Sequence, residues 1–343
     1  MLTGLSKKAV ILLIAVSFAS ICRSQQEAQF TQFMFNRLSW NPASAGSNGS
    51  MCATLLYRNQ WMGLQLDPPI QGAQAGSTPV TYLFSFESPV KPLHGGLGVL
   101  FFMDNIGYNS SKVVLLDYAF RMYWGKGDLS VGVEAGARIQ SLDYKYLFGY
   151  NDFTGNPQNP TQPSQDPLLS GRNGEKDATI IDASVGMLYQ VPHVFHFEWS
   201  LKNLLAGANK DINFKNARIL NLGAGYEYVL PSNPSFHLRP YALFKSADFN
   251  LHTWQLDVAC LLEYQAAFWG GVSYRVNDAV SFLFGVNAKK FRIGASYDIT
   301  TSQLGVYKDG RSNGTVELYL RYCFKVIVPP KPPSIYRNTR YID

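Results

Sequence analysis

A period of two runs through most of this 343-residue chain. Within the stretch 128–140, every second residue from Leu129 to Ile139 is apolar, and the residues between them are polar, charged or glycine. Successive side chains of a β-strand point to opposite faces, so this pattern predicts a strand with one apolar and one polar face. The same alternation recurs in the stretches 291–300 and 315–326.

Fourteen such runs follow residue 50, and most are about 10–12 residues long. This is twice the usual length of a soluble strand and suits a strand that crosses a bilayer at a tilt. The pattern predicts an all-β fold, a transmembrane antiparallel β-barrel of about 14 strands and of outer-membrane type. We expect the strands to begin near Ala53, Pro79, Gly96, Lys112, Leu129, Thr179, Val194, Arg218, Phe236, His252, Ala267, Ala279, Phe291 and Thr315.

The connections between the runs are sorted by length. The longest are the first, fifth, seventh and thirteenth, and all four have odd numbers. Outer-membrane barrels have long external loops and short periplasmic turns, so the odd connections are expected to face the exterior. A soluble all-β protein, the alternative, has no reason to sort its loops and would carry more than 16% charged residues.

In a membrane barrel, the two faces of each strand meet different environments. Backbone polar groups must be paired within a bilayer, so the strands must close, with the apolar face toward lipid and the polar face inside. Aromatic residues near the strand ends are expected at the membrane interfaces. A barrel of this size needs either a water channel or a plug, and the sequence leaves both open. The predicted interfacial residues are Trp124, Tyr144, Tyr228, Tyr264 and Tyr297.

The first 24 residues have the composition of a secretory signal peptide. Lys7 and Lys8 precede an apolar run that is too short to span a membrane, and small residues follow it. We expect cleavage after Ser24 and localisation in the outer membrane. A lipoprotein signal with Cys22 as the lipidated residue is the less favoured alternative.

Three further segments complete the predicted organisation. Residues 25–52 form a periplasmic or plug segment, because they carry more aromatic side chains than a free tail needs. Residues 53–327 form the barrel. Residues 328–343 form a basic, proline-rich tail on the periplasmic side, which is either a strap for a partner or a disordered end.

The sequence contains little that resembles a catalytic or metal site. Hydrolase, zinc-protease and phosphate-loop motifs are missing, so we expect no enzyme activity, no cofactor and no metal. Cys52, Cys260 and Cys323 remain after signal cleavage, and an odd number leaves at least one thiol unpaired. Their wide spacing favours small side chains that fill strand positions. An exported protein is not expected to bind nucleic acid.

Several blocks resemble the PorP/SprF family of outer-membrane proteins. They are QFTQFMFNRLSWNPASAGS at 29–47, YRNQWMGL at 57–64, TPVTYLFSFESPV at 78–90, WGGVSYRVNDAVSFLFGVNA at 269–288, and RIGASYDITTSQL with GTVELYLRYCF near the C-terminus. The resemblance covers nearly all of the mature chain in order. Arg37, Leu38 and Ser39 depart from the Pro-Leu-Tyr-like residues that the family pattern implies before Trp40.

The resemblance implies a non-catalytic barrel of the type IX secretion and gliding-motility apparatus of Bacteroidota. Its expected partners are outer-membrane lipid, periplasmic ring proteins, and a large surface protein with a C-terminal sorting domain. Such a barrel anchors or retains the surface protein, or links the ring to the membrane. The alternative is a passive porin or small-solute channel. Candidate partner or loop contacts are Asn59, Gln60, Trp61, Tyr297, Asp298, Ser302, Tyr336, Arg337 and Tyr341.

Overall fold

The structure, a computed structural model, describes residues 28–63, 78–107, 109–143, 175–209, 214–249, 253–302 and 312–325. Within these ranges, fourteen long antiparallel strands form one closed barrel. Two short 3₁₀ helices, η1 (Arg37–Ser39) and η2 (Pro42–Ser44), precede the first strand, and η3 (Lys91–Leu93) follows the second. Among the described residues, no helix combines the length and the hydropathy needed to cross a membrane.

The strands vary from two to seventeen residues in length. Their bounds are β1 (Ser50–Asn59), β2 (Val80–Val90), β3 (Gly95–Ile106), β4 (Asn109–Trp124), β5 (Gly127–Asp143), β6 (Glu175–Val191), β7 (Phe195–Lys202), β8 (Ala208–Asn209), β9 (Phe214–Lys215), β10 (Ile219–Tyr226), β11 (Tyr228–Val229), β12 (Phe236–Ala247), β13 (Trp254–Tyr264), β14 (Phe268–Arg275), β15 (Ala279–Ala288), β16 (Phe291–Thr300) and β17 (Thr315–Lys325).

The barrel closes where the first and last strands meet. Strand β1 pairs with both β2 and β17, and β10 pairs with both β7 and β12, so the sheet has no open edge along its long strands. The two-residue strand β11 continues the β10 side of β12, and β8 and β9 form a separate small hairpin. Closure satisfies the backbone hydrogen bonds that a bilayer cannot.

The strand prediction is confirmed. Each of the fourteen long strands begins within four residues of the position expected from the sequence. The connections at one end include the segments 144–174 and 203–218, and we call this the long-loop end. The opposite, short-turn end carries turns such as residues 125–126 and 289–290, together with the start of β1 and the end of β17.

Burial follows the period of two. On β5, Ser130, Glu134 and Gln140 are buried inside, while Val131 and Val133 are about half exposed on the outside. Of the expected interfacial aromatics, Tyr144 lies outside the described residues. Trp124, Tyr228, Tyr264 and Tyr297 are all exposed near strand ends.

The cysteine interpretation was wrong for two of the three residues. Cys52 on β1 lies directly opposite Cys323 on β17, and the two form a disulfide with Cα atoms 4.2 Å apart. Cys260 is free and half buried. The sequence separation of 271 residues hides this pairing, because only closure of the barrel brings the first and last strands together.

We predict that Cys52→Ser lowers the stability of the barrel. Cross-links that close long loops contribute about 2–4 kcal/mol, mainly by restricting the unfolded chain. The temperature at which the folded band converts to the unfolded band in SDS gels should fall. Cys323→Ser should lower this temperature by the same amount. Cys260→Ser is the matched control and should not change it. An unchanged transition in both disulfide variants would contradict the role assigned to this bond.

Candidate functional site

The lumen of the barrel is occupied by the chain that precedes β1. We call residues 28–49 the lumen segment. It enters near the long-loop end and runs to the short-turn end, where it joins β1. Its aromatic side chains lie in the main hydrophobic core, together with inward residues of the wall. Each such side chain contributes about 1.5–3 kcal/mol when it is fully removed from water. The buried aromatic members are Phe30, Phe33, Phe35 and Trp40, and Met34 is buried beside them.

A charged cluster holds the lumen segment near the long-loop end. The two carboxylate oxygens of Glu317 each accept one backbone N–H, from Thr31 and from Gln32, both at 2.8 Å. Arg58 Nη1 lies 3.0 Å from Glu317, and Nη2 lies 3.1 Å from Asp298. The Thr31 hydroxyl donates to Asp298 and accepts from Arg58. The three charged residues are almost fully buried, so each depends on the others for neutralisation.

Asn41 fixes the middle of the lumen segment. Its side-chain oxygen accepts the N–H of Ala43 and caps η2, which has Pro42 at its first position. Its amide donates to the Met187 carbonyl at 3.2 Å and to Glu198 at 2.8 Å. The Pro42 ring pre-sets the helical backbone, and the Asn41 amide joins that turn to β6 and β7.

Glu198 on β7 is also the partner of a second residue of the segment. Arg37 Nη1 lies 3.0 Å from Glu198, and the carboxylate is completely buried. The departure at Arg37 noted in the sequence therefore has a structural role, because its guanidinium supplies the cation that a buried carboxylate requires.

Two arginines and one glutamate hold the segment near the short-turn end. Arg121 donates to the carbonyl oxygens of Ala45 and Gly46, both at 3.1 Å. Glu87 accepts the backbone N–H of Gly46 at 3.0 Å and is paired with Arg321. The segment is thus bonded to opposite sides of the wall along its whole length.

Glycines of the wall make room for the segment. An added Cβ at Gly132 would overlap the backbone of Ala43, one at Gly186 would overlap the Asn41 side chain, and one at Gly223 would overlap the Trp40 ring. Inward glycine in a strand is a sign of close approach by another backbone. The sequence shows glycine on the polar faces of the strands. That pattern alone does not indicate which segment of the chain approaches these glycines.

Two cavities between the segment and the wall are small. One of about 50 Å³ lies beside Phe30 and Lys202, and another of about 10 Å³ lies beside Arg37 and Arg321. A single water needs about 10–15 Å³ in such measures, so these spaces hold only a few waters.

The predicted contact residues at the end of β1 bond to residues at or just before the starts of β2 and β17. Asn59 accepts a hydrogen bond from the Thr78 hydroxyl at 2.9 Å. The Gln60 N–H donates to the Pro79 carbonyl at 2.8 Å, and the Trp61 N–H donates to the Thr315 hydroxyl at 3.1 Å.

The other predicted residues have separate locations. Asp298 belongs to the charged cluster in the lumen, whereas Tyr297 faces outward and donates to the Asn313 carbonyl at 2.6 Å. The Ser302 N–H donates to the Asp278 carbonyl at 3.2 Å. Tyr336, Arg337 and Tyr341 lie outside the described residues.

A polar cluster lies at the short-turn rim beside the lumen. Burial raises the pKa of Glu227, but hydrogen bonds from His237 and Arg239 outweigh this and hold the pKa below its usual range. His237 Nδ1 lies 2.8 Å from Glu227, and Arg239 also contacts Glu263 at 2.9 Å. Within the described ranges, no group of three or more His, Cys, Asp or Glu side chains is arranged to hold a metal ion.

The family assignment rests on the match of the whole barrel. Residues 22–322 match the family described as type IX secretion system membrane protein PorP/SprF. The chain belongs to the PorP/SprF family. Family membership and fold together identify an outer-membrane barrel of the type IX secretion system. The expected resemblance is therefore confirmed, and no curated protein matches the chain.

Solved structures of outer-membrane barrels are similar to this PorP/SprF member only in fold. The monoaromatic hydrocarbon channel CymD is 14% identical over 87% of this chain and 94% of its own, with a TM-score of 0.47. The P. putida toluene transporter TodX is 13% identical over 84% and 93%, with a TM-score of 0.46. The Acinetobacter baumannii protein Omp33 is 8% identical over 80% and 99%, with a TM-score of 0.43.

We predict that Arg58→Met strongly destabilises the protein. The substitution leaves Glu317 and Asp298 buried without their cation, and breaking such a cluster costs about 3–5 kcal/mol. Urea unfolding in lipid vesicles should show this loss. Arg218→Met, which removes an exposed guanidinium, is the control and should change stability by less than about 0.5 kcal/mol. Equal midpoints for the two variants would contradict the role of the cluster.

A second prediction concerns the position of the lumen segment. Gly132→Val should expel η2 from the wall, because its side chain would occupy the space of the Ala43 backbone. In a Cys260→Ser background, a cysteine placed at buried Ser44 should resist maleimide in the parent and react in the Gly132→Val variant.

Gly270→Val is the matched control for this experiment. It adds the same side chain to the outer face of β14, where an added Cβ makes only an ordinary contact of 3.5 Å with Leu283. Protection of Ser44→Cys in a folded Gly132→Val barrel would show that the segment does not depend on this contact.

Proposed function

We propose that this PorP/SprF protein is a non-catalytic anchor. It retains a large secreted surface protein through its long-loop end, or links the periplasmic ring of the secretion system to the outer membrane through its short-turn end. It needs no cofactor. The single observation that carries this proposal is the lumen segment, which fills the space that a solute would have to cross.

The contacts of the lumen segment support a permanent structural role. Its backbone is bonded to Glu317 and Glu87, and the Asn41 side chain is bonded to Glu198. A porin needs a polar, wet lumen, whereas this one contains an aromatic core formed by the lumen segment and the wall. A rigid, filled barrel suits a platform on which other proteins dock.

The two ends of the barrel then have different tasks. Barrels of this type direct long loops outward and short turns to the periplasm, so we assign the loops 144–174 and 203–218 to the cell exterior. The tail 328–343 follows β17, which ends at the short-turn side, and would therefore emerge in the periplasm. A surface protein is expected at the loops and ring proteins at the tail.

Purification of tagged protein from gently solubilised outer membranes tests this assignment. We expect mass spectrometry to identify one large surface protein, periplasmic ring proteins, or both. Replacement of residues 146–172 by a Gly-Ser linker should remove only the surface protein. Deletion of residues 328–343 should remove only the ring proteins, so that each variant is the control for the other.

Planar-bilayer recordings of the purified, folded protein distinguish an anchor from a passive porin. An anchor with a filled lumen should give no steady ion conductance. A barrel that is repeatedly recovered alone under cross-linking and conducts ions steadily would overturn the proposal and establish the channel alternative.

A further inference from the structure

The outer wall of the barrel contains a large apolar depression. It has a volume of about 840 Å³ and is lined by residues of seven adjacent strands, from β15 through β17 and β1 to β4. We call it the wall groove. It lies on the face that meets the membrane, whereas the lumen segment lies on the opposite face of the same strands.

The wall groove follows a single cross-strand row. Leu56 is paired with both Leu83 and Tyr319, and this row continues to Val113 in one direction and to Gly285 in the other. The side chains of Leu56, Leu83 and Tyr319 face the lumen, so the outward residues on either side of the row form the edges of the groove. Neighbouring strands are about 4.8 Å apart, so seven strands span about 29 Å. An elongated occupant is required to fill it.

The two edges of the wall groove differ in chemistry. The edge toward the short-turn end consists of hydrocarbon, with Leu55, Phe84, Phe101 and Val114 in register. Phe84 and Phe101 have ring centroids 6.2 Å apart. All four side chains are well exposed to the membrane. This edge suits acyl chains and offers nothing to a polar group.

The edge toward the long-loop end carries polar atoms only in its part on β1 to β4, because Phe284, Ala295 and Leu318 form the same edge on β15 to β17. Tyr57, Tyr82, Met103 and Lys112 form one continuous row in register. The two tyrosine rings are 5.3 Å apart, and Lys112 is exposed on the outer surface three residues after the start of β4. An ammonium at this depth extends along the surface toward the headgroup region, where it binds phosphate.

The groove is therefore polar at the β4 end of its long-loop edge and hydrocarbon elsewhere, which matches a lipid with its head at Lys112 and its acyl chains directed toward β15. A transmembrane segment of another protein would be apolar throughout its middle and would have no use for an ammonium there. We propose that the wall groove is a binding site for one phosphate-bearing lipid. Its phosphate contacts Lys112, its polar head contacts the Tyr57 and Tyr82 hydroxyls, and its acyl chains lie along the groove.

The occupant is a glycerophospholipid, because Lys112 is the one charged residue among the described residues of the lining and suits a single phosphodiester. With the long loops outside the cell, the head would lie in the outer leaflet. The mass of the bound species distinguishes a glycerophospholipid from a lipid A.

Native mass spectrometry of the full-length protein, purified from outer membranes in mild detergent, tests the site. The wild-type barrel should retain one phosphate-bearing lipid. After delipidation, phosphatidylglycerol added as a probe should restore this species, whereas lipid A should not. Lys112→Gln should reduce the bound fraction by about tenfold, as expected for the loss of a hydrogen bond to a charged group. Ala295→Phe, which fills the groove, should reduce it similarly.

Matched controls place the same changes outside the groove. Lys126→Gln removes a charge from the exposed β4–β5 turn, and Ala135→Phe adds a ring to the exposed outer face of β5. Both should retain the lipid. If Ala295→Phe does not fold, which heat modifiability in SDS gels would reveal, Lys112→Gln still decides the question.

Three results would overturn the proposal. The first is equal lipid retention by Lys112→Gln and Lys126→Gln. The second is a retained lipid without phosphate, or a lipid A in place of the glycerophospholipid. The third is the recovery of a second protein copy or a partner barrel in place of lipid, which would make the wall groove a protein interface.

Discussion

Pairing of every backbone polar group within the bilayer is the constraint on which the rest of this structure depends. An open sheet would leave N–H and C=O groups exposed to hydrocarbon, so the last strand must return to the first. This return places β17 beside β1 and brings Cys52 opposite Cys323. It also creates an enclosed space too wide for wall side chains alone to fill.

The lumen segment occupies this enclosed space. Its aromatic residues pack on Leu56, Leu83 and Tyr319 of the wall, while its backbone is bonded to buried carboxylates. Those carboxylates in turn need Arg58, Arg37 and Arg321, because an unpaired charge in the interior is costly. Hydrophobic packing thus buries the apolar surface of the segment. The charged contacts determine the path of the segment and its register against the wall. The same strands present the wall groove on their outer side, so one region of sheet is apolar on both faces.

Much of the fold was predictable because its signal is local. The alternation of apolar and polar residues on β5 or β17 lies within each strand. In a membrane barrel, the apolar residues face the lipid and the polar residues face the lumen. The candidate contacts were harder. Asn59 and Trp61 lie at a strand end as expected, but Asp298 belongs to a lumen cluster with Arg58 and Glu317. These residues are 240 and 259 positions away from Arg58 in the sequence, and no local pattern connects them. Glu198 and Asn41 were not identified for the same reason.

By itself, the sequence determined the strand count, the face of each strand, the sorting of the connections and the family. Each of these depends on residue type and short-range order, which survive in a one-dimensional chain. The tertiary structure decided the disulfide, the occupation of the lumen and the wall groove. These depend on register between strands that are distant in sequence, because a one-residue shift of β17 against β1 would separate Cys52 from Cys323 and exchange the lumen and lipid faces.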